Sequence, residues 1–121
     1  MTQKIKIIFY KQQDGSVPVK EFLDGLNEKM RAKMLRTISI LQTQGNAIRA
    51  PESKPIGDGL FELRAQVGTN ISRVMYFFFI GDTAILTNGF VKKTQKTPIK
   101  EIEKALKYRQ DYLQRYGDTN G

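Results

Sequence analysis

Apolar and polar positions are patterned most regularly between residues 59 and 96, where three runs rich in aromatic and β-branched residues follow one another. Short polar breaks containing Gly68 and Gly81 separate these runs. Runs divided by glycine-bearing turns are typical of an antiparallel β-meander. The middle run is apolar on both faces across residues 74–80, so we expect it to be the central strand, covered on both sides.

The chain before the meander predicts one further strand and two helices. Residues 4–10 alternate as a strand does, and Pro18 suits the first position of a helix. A second helix is expected over residues 28–44, because its apolar residues recur at helical spacing and Gly45 provides a stop. Residues 46–58 contain two prolines and a glycine and are predicted to be a loop.

A last helix is predicted to follow the meander, with Thr97 as its N-cap and Pro98 in its first turn. Its expected buried stripe consists of four aliphatic residues at helical spacing, namely Ile99, Ile102, Leu106 and Leu113, helped by Ala105 and Tyr112. We expect the tail from Gly117 onward to be frayed.

The predicted order is strand, two helices, three antiparallel strands, helix, which describes a small α+β domain. We expect one domain over residues 1–121 with its core at about 4–115, and helices packed on one face of the sheet. The other face would then be left for charged side chains.

Composition narrows the classes of function. Twenty Lys and Arg against twelve Asp and Glu give a net charge of +8. This charge favours a partner that carries phosphates or acidic side chains over a neutral partner. A solvated basic surface without such a partner is equally compatible with the same charge. The chain contains no cysteine and no histidine, which removes thiolate metal sites, disulfides and Ser-His-Asp catalysis. Its apolar runs are too short for a signal peptide or a bilayer span, so we expect a soluble, cytoplasmic protein.

Arginines on the first two runs and lysines after the third provide the candidate chemistry. Glu62 and Arg64 share the polar face of the first run, and Arg73 interrupts the start of the second. A lysine cluster follows the third run: Lys92, Lys93 and Lys96. These side chains are expected to converge on one surface of the sheet.

A basic site of this kind can cleave RNA without a metal or another cofactor, because the ribose 2′-hydroxyl is an internal nucleophile. Arginines stabilise phosphate oxygens bidentately, and a lysine, tyrosine or glutamate can move the protons. Ordinary structural roles stay open for the same residues. The arginines could pair with Glu62 or Asp82 on the sheet surface, the lysines could form a solvated strand end, and Tyr76 could be core.

Four segments together resemble the phage-derived, HigB-like branch of the RelE/ParE toxin superfamily. They are Pro-Val-Lys-Glu-Phe-Leu (18–23), Gly-Leu-Phe-Glu-Leu-Arg (59–64), Ser-Arg-Val-Met-Tyr (72–76) and Gly-Phe-Val-Lys-Lys-Thr-Gln-Lys-Thr-Pro (89–98). The resemblance covers roughly residues 4–115, and it implies a toxin of a type II toxin–antitoxin module. Such toxins are metal-independent mRNA endonucleases that act on the ribosome, and a cognate antitoxin, usually a helix-turn-helix protein, holds them inactive.

The resemblance also implies roles for individual residues. Arg73 matches the strand arginine that contacts the scissile phosphate, Arg64 matches an arginine on the preceding strand, and Lys93 falls in the basic pair after the last strand. We take these three as the catalytic candidates. The RNA-binding candidates are five further side chains: Lys92, Lys96, Lys54, Tyr76 and Glu62.

Two other functions remain open at this stage. One is a catalytically inactive module of the same fold that binds RNA or an antitoxin. The other is a basic DNA-binding or structural phage protein, which would bind duplex DNA and leave translation unaffected.

Overall fold

The computed structural model describes residues 4–117, which form an α+β structure with a five-stranded mixed sheet and three α-helices. The strands lie in the order β1-β5-β4-β3-β2. In chain order the elements are β1 (Lys6–Phe9), α1 (Pro18–Asp24), α2 (Glu28–Gln44), β2 (Ser53–Gly57), β3 (Leu60–Val67), β4 (Asn70–Phe79), β5 (Thr83–Lys92) and α3 (Ile99–Tyr112).

The predicted antiparallel meander is confirmed as β3, β4 and β5. Gly68 has a φ of 62° in the turn between β3 and β4, a conformation that glycine adopts without strain. β4 lies in the middle of the sheet, and residues 71–77 are buried, as the two-sided apolar pattern predicts. The bulge between Met75 and Tyr76 shifts the pairing of β4 with β5 by one residue.

The loop predicted over residues 46–58 is partly wrong, because it contains the edge strand β2. Ser53 pairs with Leu63 and Lys54 with Glu62, and the register shifts between Pro55 and Gly57. Proline and glycine are tolerated here because an edge strand has one unpaired side and can carry a bulge. Pro55 and Gly57 therefore indicate a loop by local preference, although both are compatible with an edge strand.

β1 forms the opposite edge of the sheet and runs parallel to β5, with Lys6 opposite Thr83. From β1 the chain passes through α1, α2 and the edge strand β2 before it enters the meander. Asn27 begins α2 by accepting a hydrogen bond from the Met30 backbone N–H over 2.9 Å. The expected cap and the expected stop at Gly45 are both confirmed.

Helices α1 and α2 cover one face of the sheet. Their buried side chains, among them Val19, Met34 and Leu41, pack against the face that carries Leu63 and Val74. Both helices thus contribute to the larger of two apolar clusters.

Helix α3 packs on the opposite face, so the expectation that all helices share one face is wrong. Ala105 and Tyr112 pack with Met75, Phe77 and Ile85, whose side chains alternate with those of the first cluster. The face that was expected to stay open is therefore partly covered by α3. Its remaining part holds the charged side chains described below.

Two details of α3 also differ from expectation. The N-cap residue is Pro98 rather than Thr97, and no side chain caps the helix. Ile99 and Leu113 are 67% and 40% exposed rather than buried, whereas Ala105 and Tyr112 are buried as expected. Residues 113–117 continue the helix as a π-helical turn, and the rest of the predicted frayed tail lies outside the described residues.

Across residues 4–117, no helix is long and apolar enough to cross a membrane.

Candidate functional site

The strand registers bring three charged residues together on the face that carries α3. Arg64 lies opposite Arg73 in the β3–β4 ladder, and Glu62 lies opposite Met75, one position along the same face. Because side chains alternate along a strand, Glu62, Arg64 and Arg73 all point to this side of the sheet. The predicted convergence of the two arginines is therefore present in the structure.

Glu62 is the centre of this charged cluster. Its Oε2 accepts a hydrogen bond from Arg64 Nε over 2.7 Å and lies 3.9 Å from Arg73 Nε. Its Oε1 accepts a hydrogen bond from the Thr97 hydroxyl over 2.7 Å. One fully buried carboxylate thus faces two guanidinium groups. Because it neutralises only one of the two positive charges, the cluster has a net positive charge.

A segment that we call the strap, residues 93–97, covers the cluster. The Arg73 guanidinium donates to the backbone carbonyls of Thr94 and Lys96. Arg64 donates to both the side-chain and the backbone oxygen of Gln95. The strap is therefore held to the sheet by the guanidinium groups of Arg64 and Arg73.

Arg73 is fully buried beneath the strap. Its guanidinium lies over the Phe90 ring, 5.5 Å from the ring centroid. Burial lowers the pKa of Arg73, and the Glu62 carboxylate opposes that shift. Among the described residues, Arg73 Nε is the one buried side-chain nitrogen or oxygen without a hydrogen-bond partner.

The three lysines of the predicted site lie at the rim of the cluster. Lys92 ends β5, while Lys93 and Lys96 belong to the strap, and all three are exposed. Within residues 4–117, none of them forms an ion pair with a carboxylate. They add uncompensated positive charge next to Arg64 and Arg73.

Tyr76 and Lys54 lie apart from this cluster. Tyr76 is fully buried on the face of α1 and α2, where its hydroxyl shares a hydrogen bond of 2.6 Å with the Ser53 hydroxyl. Burial raises the pKa of Tyr76, and the Ser53 contact opposes that shift. Lys54 is exposed on the edge strand β2, one residue from Ser53.

Arg64 also borders a basic cleft, which we define by six lining cations: Lys29, Lys33, Arg36, Arg49, Lys54 and Arg64. The cleft has a volume of about 1610 Å³ and lies between α2 and the β2–β3 edge of the sheet. Of the residues that the structure describes, Glu52 is the one carboxylate that lines it. Lys54 and Tyr76 both belong to its lining, so the structure divides the predicted site residues between the charged cluster and this cleft.

Gln95 and Thr97 are members of the site that sequence reasoning missed. Both lie in the strap and bind the charged residues directly. The sequence signal that could have identified them is their position, since Gln95 lies within the Lys92–Lys96 run and Thr97 follows it. Threonine is also a preferred N-cap residue, and this local preference predicts a capping role for Thr97 instead. The group of three or more His, Cys, Asp or Glu residues that a metal site needs does not occur in the described part of the chain.

Comparison with known protein families identifies the family of this chain. The family described as phage-derived proteins, Gp49-like (DUF891), matches residues 21–110, which include the whole sheet except β1. The chain belongs to this family. The Gp49-like proteins are a RelE/ParE-like toxin family, which is consistent with a toxin of a toxin–antitoxin module and implies a cognate antitoxin. No curated protein matches the chain significantly.

Proposed function

We propose that this Gp49-like protein is a HigB-like toxin that cleaves mRNA on the ribosome by a metal-independent mechanism in the cytoplasm. The observation that carries the proposal is the cluster of Glu62, Arg64 and Arg73, with exposed lysines at its rim. Family membership supports a toxin with ribonuclease activity. The same cluster supplies the groups that internal RNA cleavage needs.

The proposed reaction is attack of the ribose 2′-oxygen on the adjacent phosphorus. Glu62 takes the 2′-hydroxyl proton as the P–O2′ bond forms, and the P–O5′ bond breaks. Lys93 gives a proton to the departing 5′-oxygen, assisted by the charge of Lys92 and Lys96. The products are a 2′,3′-cyclic phosphate and a 5′-hydroxyl.

The two guanidinium groups stabilise the charge of the transition state. Arg73 and Arg64 bind the non-bridging phosphate oxygens, a geometry for which the planar guanidinium is suited. In the structure both groups bind oxygens of the strap instead, at Thr94, Gln95 and Lys96. Phosphate oxygens would replace these oxygens when the strap moves aside.

The proposal is tested by induced expression without antitoxin, followed by mapping of mRNA 5′ ends. Arrest with new ends inside coding regions is expected for the wild type. Arg73→Gln should abolish the arrest and the new ends, because it removes stabilisation of the transition state. Lys93→Gln should lower cleavage by about a hundredfold, because it removes the proton donor. Lys100→Gln, an exposed lysine on α3, is the matched control and should behave as the wild type. Normal growth and no new ends from soluble, folded wild type would refute the proposal.

The complete burial of Arg73 favours one alternative function. A catalytically inactive module of the same fold would keep its strap closed and use its basic surface to bind RNA or an antitoxin. Arg73→Gln separates the two functions. An endonuclease loses growth arrest while antitoxin binding persists, whereas an inactive module shows no arrest in either form.

A further inference from the structure

The basic cleft between α2 and the β2–β3 edge carries charge that the fold itself leaves unbalanced. Within residues 4–117, Arg64 is the one cation of the six that forms an ion pair with a carboxylate. Lys33 and Arg49 bind backbone carbonyls, at Gln66 and at Asn46 and Ile48. Five positive charges therefore face the cleft opposite one carboxylate, and they attract a polyanion.

The floor of the cleft is aromatic. Phe61 and Phe78 are half-buried there, with ring centroids 5.6 Å apart, and the buried Tyr76 ring lies beneath them, 5.5 and 5.6 Å from the two phenyl rings. A positively charged groove with aromatic side chains at its base is the arrangement by which proteins bind single-stranded nucleic acid. Phosphates follow the cations, and bases stack on exposed ring faces.

The size of the cleft favours a polymer as its occupant. A pocket for a small molecule has a volume of roughly 300–1,000 Å³, and this cleft measures about 1610 Å³. Its cations come from both walls, with Lys29 and Arg36 on α2 and Lys54 on β2. A strand lying between these walls could be contacted from both sides.

The cleft is continuous with the charged cluster. Arg64 and Gln95 line the cleft, and both also belong to the contacts around Glu62 and the strap. The charged cluster lies on the α3 face and the aromatic floor on the α1–α2 face. Because β2 pairs with β3 only as far as Leu63, a strand whose scissile phosphate lay at Arg64 and Arg73 would pass around the edge of β3 at Arg64 to enter the cleft.

We infer that the basic cleft is a second binding site, which holds the single-stranded RNA flanking the scissile bond. The inference rests on the proposed function, since it takes the charged cluster as the point of cleavage. Lys29, Lys33, Arg36 and Lys54 contact backbone phosphates, and Phe61 and Phe78 stack on bases. An acidic protein segment is the competing occupant, but continuity with the cluster and the aromatic floor both favour RNA.

The test measures binding of a labelled, fully 2′-O-methylated RNA of roughly ten nucleotides. This strand lacks the nucleophile, so its binding is independent of cleavage. The variant Lys29→Gln/Arg36→Gln removes two exposed cations of the α2 wall. Lys6→Gln/Lys11→Gln removes two exposed lysines in and beside β1, at the opposite edge of the sheet, and is the matched control.

For the cleft variant, the slope of log K against log salt should fall by roughly 1.4, because each phosphate contact with a single strand contributes about 0.7. Its Kd at low salt should rise roughly tenfold. The control should keep the wild-type slope. An abasic version of the strand should bind the wild type roughly tenfold more weakly, because stacking is lost.

Two results would overturn the inference. An equal loss in the cleft variant and the control would mean that net charge, not the cleft, determines binding. Equal affinity for the abasic and the complete strand would mean that the cleft binds through charge alone, without base stacking. This result would favour an acidic protein as its occupant. The 5′-end mapping described above decides the endonuclease proposal separately, so failure of one does not imply failure of the other.

Discussion

Glu62 and Arg73 lie diagonally across the β3–β4 ladder, with Arg73 Nε 3.9 Å from Glu62 Oε2 and neither side chain exposed. At this separation the pair attracts through charge but does not form a short hydrogen bond. The Glu62 oxygens are instead bonded to Arg64 and Thr97. The carboxylate therefore organises both arginines and the strap.

Glu62→Gln should destabilise the fold by about 3 kcal/mol, because it leaves the buried Arg73 without a counter-charge. The free energy of unfolding from urea titration measures the effect. Glu103→Gln, an exposed position on α3, should change it by less than about 0.5 kcal/mol. A Glu62→Gln protein as stable as the wild type would show that Arg73 does not depend on this carboxylate.

Thr97→Val should loosen the strap, because the Glu62 Oε1 atom loses its 2.7 Å hydrogen bond in a buried site. An unsatisfied buried acceptor of this kind costs about 1.5 kcal/mol. Amide hydrogen exchange of residues 94–97 should become faster. Thr94→Val is the matched control, since the Thr94 hydroxyl is exposed and makes only a 3.4 Å contact with Lys96 O. Equal exchange in both variants would contradict the role assigned to Thr97.

Much of the charged cluster could be predicted from the alternation of side chains along β3 and β4. Glu62 and Arg64 share a face by spacing alone, and an antiparallel meander places Arg73 beside them. The burial of Arg73 could not be predicted in this way. It depends on the path of residues 93–97, which is set by contacts between residues 21 to 35 positions apart in the chain.

The errors in predicting the fold have related causes. Helical periodicity identifies Ile102 and Leu106 as packing positions of α3 but does not say which face of the sheet they contact, so the expected side is wrong. Pro55 and Gly57 indicate a loop by local preference, and pairing with β3 overrides that preference. Thr97 fits an N-cap by local rules, yet the tertiary contact with Glu62 uses its hydroxyl.

Gly89→Ala should destabilise the contact between α1 and β5. A Cβ atom at this position would lie 2.3 Å from Phe22 Cδ2, closer than real contacts allow. Overpacking of this kind costs about 2 kcal/mol. Thermal or urea unfolding checks the value. In a Phe22→Leu background the cost of Gly89→Ala should be smaller, since the two positions are coupled; an unchanged cost would show that the ring is not the obstacle.

Tyr10 links β1 to the end of α3 and should make stability depend on alkaline pH. Its hydroxyl donates to Asp111 over 2.6 Å. Burial raises the pKa of Tyr10 from 10.0 to about 12, and the Asp111 contact adds to the shift. Because the folded-state pKa is the higher one, the contribution is complete below pH 10.0 and is lost as the pH rises through about 12.

Tyr10→Phe should lower the free energy of unfolding by about 1.5 kcal/mol near pH 7, since it removes a hydrogen bond to a charged group. The variant should also lose less stability than the wild type as the pH rises from 10.0 to about 12. Urea titrations across this range measure both effects. Tyr116→Phe, at a half-exposed position, is the control and should follow the wild type. Parallel curves for Tyr10→Phe and wild type would contradict the assignment.

The most direct test of the endonuclease mechanism is end-group analysis of mRNA incubated with the purified protein and programmed ribosomes. The proposed 2′-hydroxyl attack predicts cleaved mRNA whose downstream fragments carry 5′-hydroxyl groups, and Arg64→Gln should lower their yield by about a hundredfold. Intact mRNA in the presence of folded protein, or fragments with 5′-phosphate ends, would contradict the mechanism.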